Sequence, residues 1–175
     1  MTRATLLQLF LLVALQAAAP TPTVRRSVNE PPPQLMANLK ALLDASREFG
    51  VDPNFAFSVA WAESELKEHA KGRHRNEDGT WGPVLARGLM QISVEYQDTH
   101  VLKYLPAMHP ANCQWWNPVH SARLGCAILA DFTPRYGKWG ALACYNAGEG
   151  RYKQLMKYGR RLPKDTIDYQ ARVLG

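Results

Sequence analysis

Three short stretches concentrate the residue types that could act on a substrate. The first is "AWAESEL" (60–66), where Glu63 falls inside an apolar run. Counted along a helix, Glu63 lies on or beside the stripe formed by Phe55, Val59, Ala62 and Leu66. Desolvation on such a stripe disfavours the charged carboxylate and raises its pKa. A carboxyl group held protonated near neutral pH can serve as a general acid. By spacing alone, a glutamate pointing to water near a helix end is the commoner arrangement. The second stretch is "ARGLMQIS" (86–93), where Gln91 interrupts an apolar run behind Gly88. Alone it reads as a buried turn entering a helix, with Gln91 bonded to backbone. The third is "GALACYNAGEG" (140–150), where Tyr145 and Asn146 stand among small residues. Alone it reads as a helix end with glycine caps.

The elements that must position these residues are mostly helices. Leu35, Leu39, Leu42, Leu43 and Phe49 fall at helical spacing, and Gly50 is a good stop. Asp52-Pro53 pairs an N-cap with proline at the first helical position, and the helix it starts is expected to reach Lys67. Residues 71–88 break the periodicity, and Asp78-Gly79 suits the turn of a short hairpin. Residues 93–102 read as helical. Asn117-Pro118 repeats the cap-plus-proline signal, before a helix with Val119, Ala122, Cys126 and Leu129 on one stripe. Further helices are expected over 138–147, 150–158 and Lys164 to Leu174. The fold class expected is therefore mainly α, with one short β-hairpin.

Length and composition fit one soluble domain: 175 residues, 46% hydrophobic and 21% charged. The formal net charge of +6 is spread along the chain. It favours acidic partners without being a nucleic-acid signature. "MTRATLLQLFLLVALQAAAP" has the layout of a secretory signal peptide, assigned to residues 1–19. Its apolar run is short for a membrane span, so no span is expected after cleavage. The Pro-rich residues 20–33 read as a linker, and residues 34–175 as the domain. Export would place the protein in the periplasm or cell envelope. There one disulfide could form among Cys113, Cys126 and Cys144, although the sequence does not choose the pair. Cys144 is a candidate nucleophile only formally, since no histidine is spaced to serve it. His69, His74 and Glu77 fit no strong metal pattern, and neither metal nor cofactor is expected. Core packing is the expected fate of most of Trp61, Trp81, Trp115, Trp116 and Trp139, with stacking on a substrate the alternative.

Taken in order, "AWAESEL", "RGLMQIS", "NPVHSARLGCAIL", "ALACYNAGEGRY" and "LPKDTIDYQARVL" resemble the catalytic domain of the soluble-type lytic transglycosylases, relatives of goose-type lysozyme. The resemblance covers roughly residues 35–175. It implies a lysozyme-like domain, with the hairpin between the catalytic helix and the Gly-Leu-Met-Gln motif. It also implies that Glu63 is the essential carboxylate. The implied substrate contacts are Ser64, Met90, Gln91, Tyr145, Asn146 and Tyr169, with Thr166 in register. Glu65 and Leu66 stand where relatives often have a small residue and an aromatic. Cys144 replaces a common alanine, as a buried small residue or as half of a disulfide with Cys126. The segment from Glu63 to Gly88 is longer than in the plainest members. In this it resembles small transglycosylases attached to secretion, conjugation and pilus systems.

The resemblance implies peptidoglycan glycan strands as the substrate and cleavage of the bond between N-acetylmuramic acid and N-acetylglucosamine. It implies one Glu acting as acid and then base, with no cofactor, and a 1,6-anhydro product. Two other readings stand beside it. One is a lysozyme-type muramidase, with Glu77 or Asp78 as second carboxylate unless Asp78 merely makes its turn. The other is a non-catalytic peptidoglycan-binding protein on the same fold.

Overall fold

The structure is a computed structural model and describes residues 31–76 and 78–175, apart from the side chains of His74 and Arg75. The signal peptide, most of the linker, and Glu77 lie outside the described residues.

Helix α1 (Pro33–Glu48) opens on proline and ends before Gly50, as its pattern requires. It buries Leu39, Leu42 and Ala45. Helix α2 (Pro53–Ser64) is capped by the Asp52 carboxylate, which accepts from Asn54 N at 3.0 Å. It buries Phe55, Ala56, Val59 and Ala60. It stops three residues short of the expected Lys67. Glu65 (φ 53°) and Leu66 (φ 61°) turn into left-handed backbone. Left-handed geometry costs an L-residue about 1–2 kcal/mol. Leu66 offsets this by burying its side chain to 1% exposure and by giving its carbonyl to Asn38 Nδ2 at 2.9 Å.

The expected hairpin is present and is larger than expected. Strands β1 (Lys71–Arg75), β2 (Trp81–Arg87) and β3 (Ile92–Ser93) form an antiparallel sheet in the order β1-β2-β3. Asp78 makes the turn: its Oδ1 accepts from Thr80 N at 2.9 Å and from Thr80 Oγ1 at 2.6 Å. Ile92 and Ser93 pair with Arg87 and Ala86. That pairing delays the expected helix, so α3 runs Gln97–Tyr104.

Helix α4 (Pro118–Ala147) is capped by Asn117 and carries the core on Ala122, Leu124, Cys126, Leu129 and residues 141–143. Val119, expected on the buried stripe, is 47% exposed. The run is broken at Gly137 (φ 66°, ψ 173°), three residues after Pro134. The helix expected over 138–147 is therefore a distinct segment that continues from its predecessor. Helices α5 (Glu149–Lys157) and α6 (Lys164–Leu174) follow. Helix α4 packs against α1, α5 and α6, and α6 also packs against α2. This brings the far end of the chain to the end of α2 that carries Glu63.

All three cysteines are free thiols, and each is buried. The disulfide expected among them is absent. Burial pushes Cys126 up to about 12 and Cys144 up to about 11. A nucleophilic thiol needs the opposite shift, which agrees with a structural rather than a nucleophilic Cys144. The tryptophan expectation also changes: only Trp115 is buried at 8% exposure, while Trp81 and Trp139 are 64% and 56% exposed. Among the described residues, no helix is long and apolar enough to cross a membrane, and no group of three or more His, Cys, Asp or Glu is placed to hold a metal.

Candidate active site

Glu63 stands one residue before the end of α2 and is half-buried. Its Oε1 accepts a 2.6 Å hydrogen bond from Tyr169 Oη on α6. Burial of the carboxyl group raises its pKa to about 7; the Tyr169 bond and the Arg172 charge oppose that rise. Desolvation wins because one hydrogen bond and one cation replace only part of the lost hydration. The phenols of the half-buried Tyr145 and the buried Tyr169 are pushed well above their usual range, largely by desolvation and partly by Glu63. Both therefore stay neutral and remain hydrogen-bond donors.

Ser64 and Met90 fix the frame around Glu63. Ser64 is buried, and its hydroxyl lies 3.2 Å from Ala60 O and 2.7 Å from Leu89 O. It ties the end of α2 to the Gly-Leu-Met-Gln turn. The Met90 side chain is fully buried, close against Gly125 of α4. Its N–H donates to Ser121 Oγ at 3.0 Å, and its carbonyl accepts from Tyr145 Oη at 2.8 Å. Tyr145 thus joins the end of α4 to the same turn.

Gln91 has left-handed backbone (φ 46°) and donates Nε2 to Ala70 O at 3.1 Å and Gly88 O at 2.9 Å. This is the backbone bonding that the isolated stretch suggested, although a strand rather than a helix follows. Gly88 (φ 80°) is required on two counts. A Cβ there would have a forbidden backbone angle and would lie 2.3 Å from Trp115 O.

Asn146 is exposed, and its Oδ1 accepts from the buried Thr166 Oγ1 at 2.9 Å. That bond leaves Nδ2 as its free donor side. Thr166 and Tyr169 are three apart on α6, so one helix face holds both Asn146 and Glu63. Among the described residues, the non-glycine residues with positive φ are Glu65, Leu66 and Gln91, all beside this constellation. Such concentration of strained backbone is typical of functional sites.

A family model, the transglycosylase SLT domain, matches residues 40–167. The chain belongs to that family. The matched span holds Glu63, Ser64, Met90, Gln91, Tyr145, Asn146 and Thr166; Tyr169 and Arg172 lie just beyond it. The invasion protein IagB of Salmonella typhimurium, in strains SL1344 and LT2, and that of Salmonella typhi are each 32% identical to this SLT domain chain over 108 residues. The match spans 61% of this chain and 61% of theirs. An inactive Glu-to-Gln mutant of the lytic transglycosylase Slt from Pseudomonas aeruginosa superimposes with a TM-score of 0.53 at 24% identity. The match covers 78% of this chain and 21% of that one. That likeness shows the lysozyme-like SLT fold, as expected.

Two contributors to the SLT site escape the sequence reading. Arg172 bears on the charge of Glu63 and lies 5.9 Å from the Tyr169 ring centroid. Its place three residues after Tyr169 was the available signal. Asn38, 1% exposed on α1, holds the carbonyl of Leu66. Nothing local marks it, because its partner is 28 residues away.

Proposed function

We propose that this SLT domain is a peptidoglycan lytic transglycosylase that cleaves the β-1,4 bond between N-acetylmuramic acid and N-acetylglucosamine. The carrying observation is a desolvated carboxyl group, its pKa raised to about 7, held by the Tyr169 phenol in a chain of the SLT family. Two-carboxylate glycosidases need a partner on the opposite face of the sugar. A carboxyl group able to give and take a proton near neutral pH suits a reaction in which the substrate supplies its own nucleophile.

In the proposed reaction, Glu63 donates its proton to the glycosidic oxygen, and the bond from that oxygen to C1 breaks. The 2-acetamido oxygen closes on C1 and takes up the positive charge. The Glu63 carboxylate then removes the proton from the C6 hydroxyl. The C6 oxygen attacks C1 and displaces the acetamido oxygen. A 1,6-anhydro end forms, Glu63 regains its proton, and no water is consumed. A pKa near 7 makes both roles accessible to one group. Tyr169 holds the carboxyl oxygen through the cycle. Gln91, Tyr145 and Asn146 are the proposed substrate-facing residues. The outward amide of Asn146 is the donor best placed to meet a sugar acetamide. Ser64 and Met90 act by holding the turn in place.

Export to the periplasm or cell envelope is part of the proposal and rests on the apolar N-terminal run. Service to an envelope-spanning secretion, conjugation or pilus assembly is supported by the long hairpin and by likeness to a protein named for invasion. Mass spectrometry of digested peptidoglycan tests the reaction. Anhydro-muramic ends are expected, whereas reducing ends in their place would make the enzyme a muramidase. Absence of any cleavage would leave a binding protein.

A further inference from the structure

Lys71 and Arg87 face each other directly across β1 and β2. Like charges in register across an antiparallel pair repel, so sheets seldom hold them without an intervening acid. Here no carboxylate pairs with either residue among the described ones. The nearest acid in sequence, Glu68, is engaged elsewhere. It accepts from Asn38 Nδ2 and lies 3.8 Å from His69 Nε2. The two cations instead share one aromatic face: Lys71 Nζ lies 5.7 Å and the Arg87 guanidinium 5.6 Å from the Trp116 ring centroid. The His69 ring adds a third edge at 5.8 Å. Arg87 Nε is buried with no protein acceptor. A buried, unpaired guanidinium N–H is costly unless an acceptor reaches it.

This cluster is connected to the candidate active site through the backbone. Arg87 precedes Gly88, and Lys71 follows Ala70. The Ala70 carbonyl accepts from both Gly88 N and Gln91 Nε2. The same turn carries Met90, which holds Tyr145. The two cations therefore sit on the residues that flank the Gly88–Gln91 turn of the candidate site. The branches of peptidoglycan are peptides bearing carboxylates. A planar carboxylate matches the guanidinium fork, and a neighbouring ammonium adds a point charge.

We propose that Lys71 and Arg87, paired across the sheet beside Trp116, form a subsite for a carboxylate of the peptide stem carried by the glycan. The proposal rests on the reading of the substrate as peptidoglycan, and its test is a binding measurement that does not depend on cleavage. Full-length Glu63→Gln protein is titrated with three soluble glycan preparations. The first bears intact stems, the second bears stems whose carboxylates have been amidated, and the third has been stripped by an amidase. The expected result is roughly tenfold tighter binding of intact strands than of either other preparation. Added Lys71→Ala or Arg87→Gln should reduce that preference to about threefold or less. Lys40→Ala, on the exposed face of α1, serves as the control and should keep the preference. Lys71 is itself exposed, so its variant does not depend on refolding of the Trp116 cluster. Equal binding of intact and amidated strands would overturn the proposal, as would an equal loss on all three preparations in the Lys71 variant. Failure of the transglycosylase reading would appear separately, as wild-type protein that yields no anhydro ends.

Discussion

At the scale of the residue, Glu63 is maintained at a cost to stability. Its folded pKa of about 7 lies above its ordinary 4.5. Between these values the folded state holds a proton that the unfolded state has lost. Stability therefore falls as pH rises through that window, and the full cost is present above about 7. Glu63→Gln should abolish cleavage and also stabilise the fold at pH 8, by about 3 kcal/mol at most. Thermal melts at pH 8 and pH 5 check this, with the gain shrinking toward the lower pH. Tyr169→Phe removes a hydrogen bond that lowers the Glu63 pKa. The alkaline limb of the kcat/KM profile should then move to higher pH, whereas a purely structural role for Tyr169 would lower the rate without moving the limb. Glu63 was legible in the sequence through its place on an apolar stripe and through the motif order. Its holder was legible only as a motif position. That Tyr169, rather than Tyr145 or Gln91, bonds the carboxyl group depends on a packing 106 residues apart in sequence.

At the scale of the element, two joints position the site. One is the Gly88 turn. Gly88→Ala would combine positive φ with a backbone clash, and a loss of about 3 kcal/mol or more is expected from chemical denaturation. The other is the junction of α4 and α5, where Glu149 accepts from Tyr136 and Arg135 and pairs with Lys153. These partners hold the Glu149 pKa down to about 2, chiefly through Tyr136 and Lys153. Its contribution is present above the ordinary 4.5 and fades as pH falls toward 2. Glu149→Gln should cost about 1–2 kcal/mol at pH 7 and little near pH 2. Helix starts were legible because Asp52-Pro53 and Asn117-Pro118 cap locally. The early end of α2 was not. Glu65 and Leu66 have no intrinsic preference for left-handed backbone, and it is Asn38 and the core around Leu66 that impose it. The start of α3 was missed because β3 claims Ser93, the first expected residue, through pairing with β2.

At the scale of the whole molecule, the helices and the small sheet of the described residues bring three distant segments to one carboxyl group. The net charge of +6 suits an anionic polymer. Co-sedimentation with insoluble peptidoglycan should therefore weaken several-fold between low salt and 0.5 M salt, about the range over which screening shortens below 10 Å. The fold class was legible from periodicity, and the family from five motifs in order. The fate of the thiols was not. Helical spacing cannot distinguish a buried free cysteine from half of a disulfide, and Cys126 and Cys144 are free. The central claim is that Glu63 alone serves as acid and then base, so that the new bond at C1 comes from the glycan's own C6 hydroxyl. Digestion in heavy-oxygen water, followed by mass spectrometry of the released muropeptides, tests it most directly. The account predicts anhydro-muramic ends free of label, and none of them with Glu63→Gln. Label at the new muramic C1 would mean that water made the bond, and would contradict it.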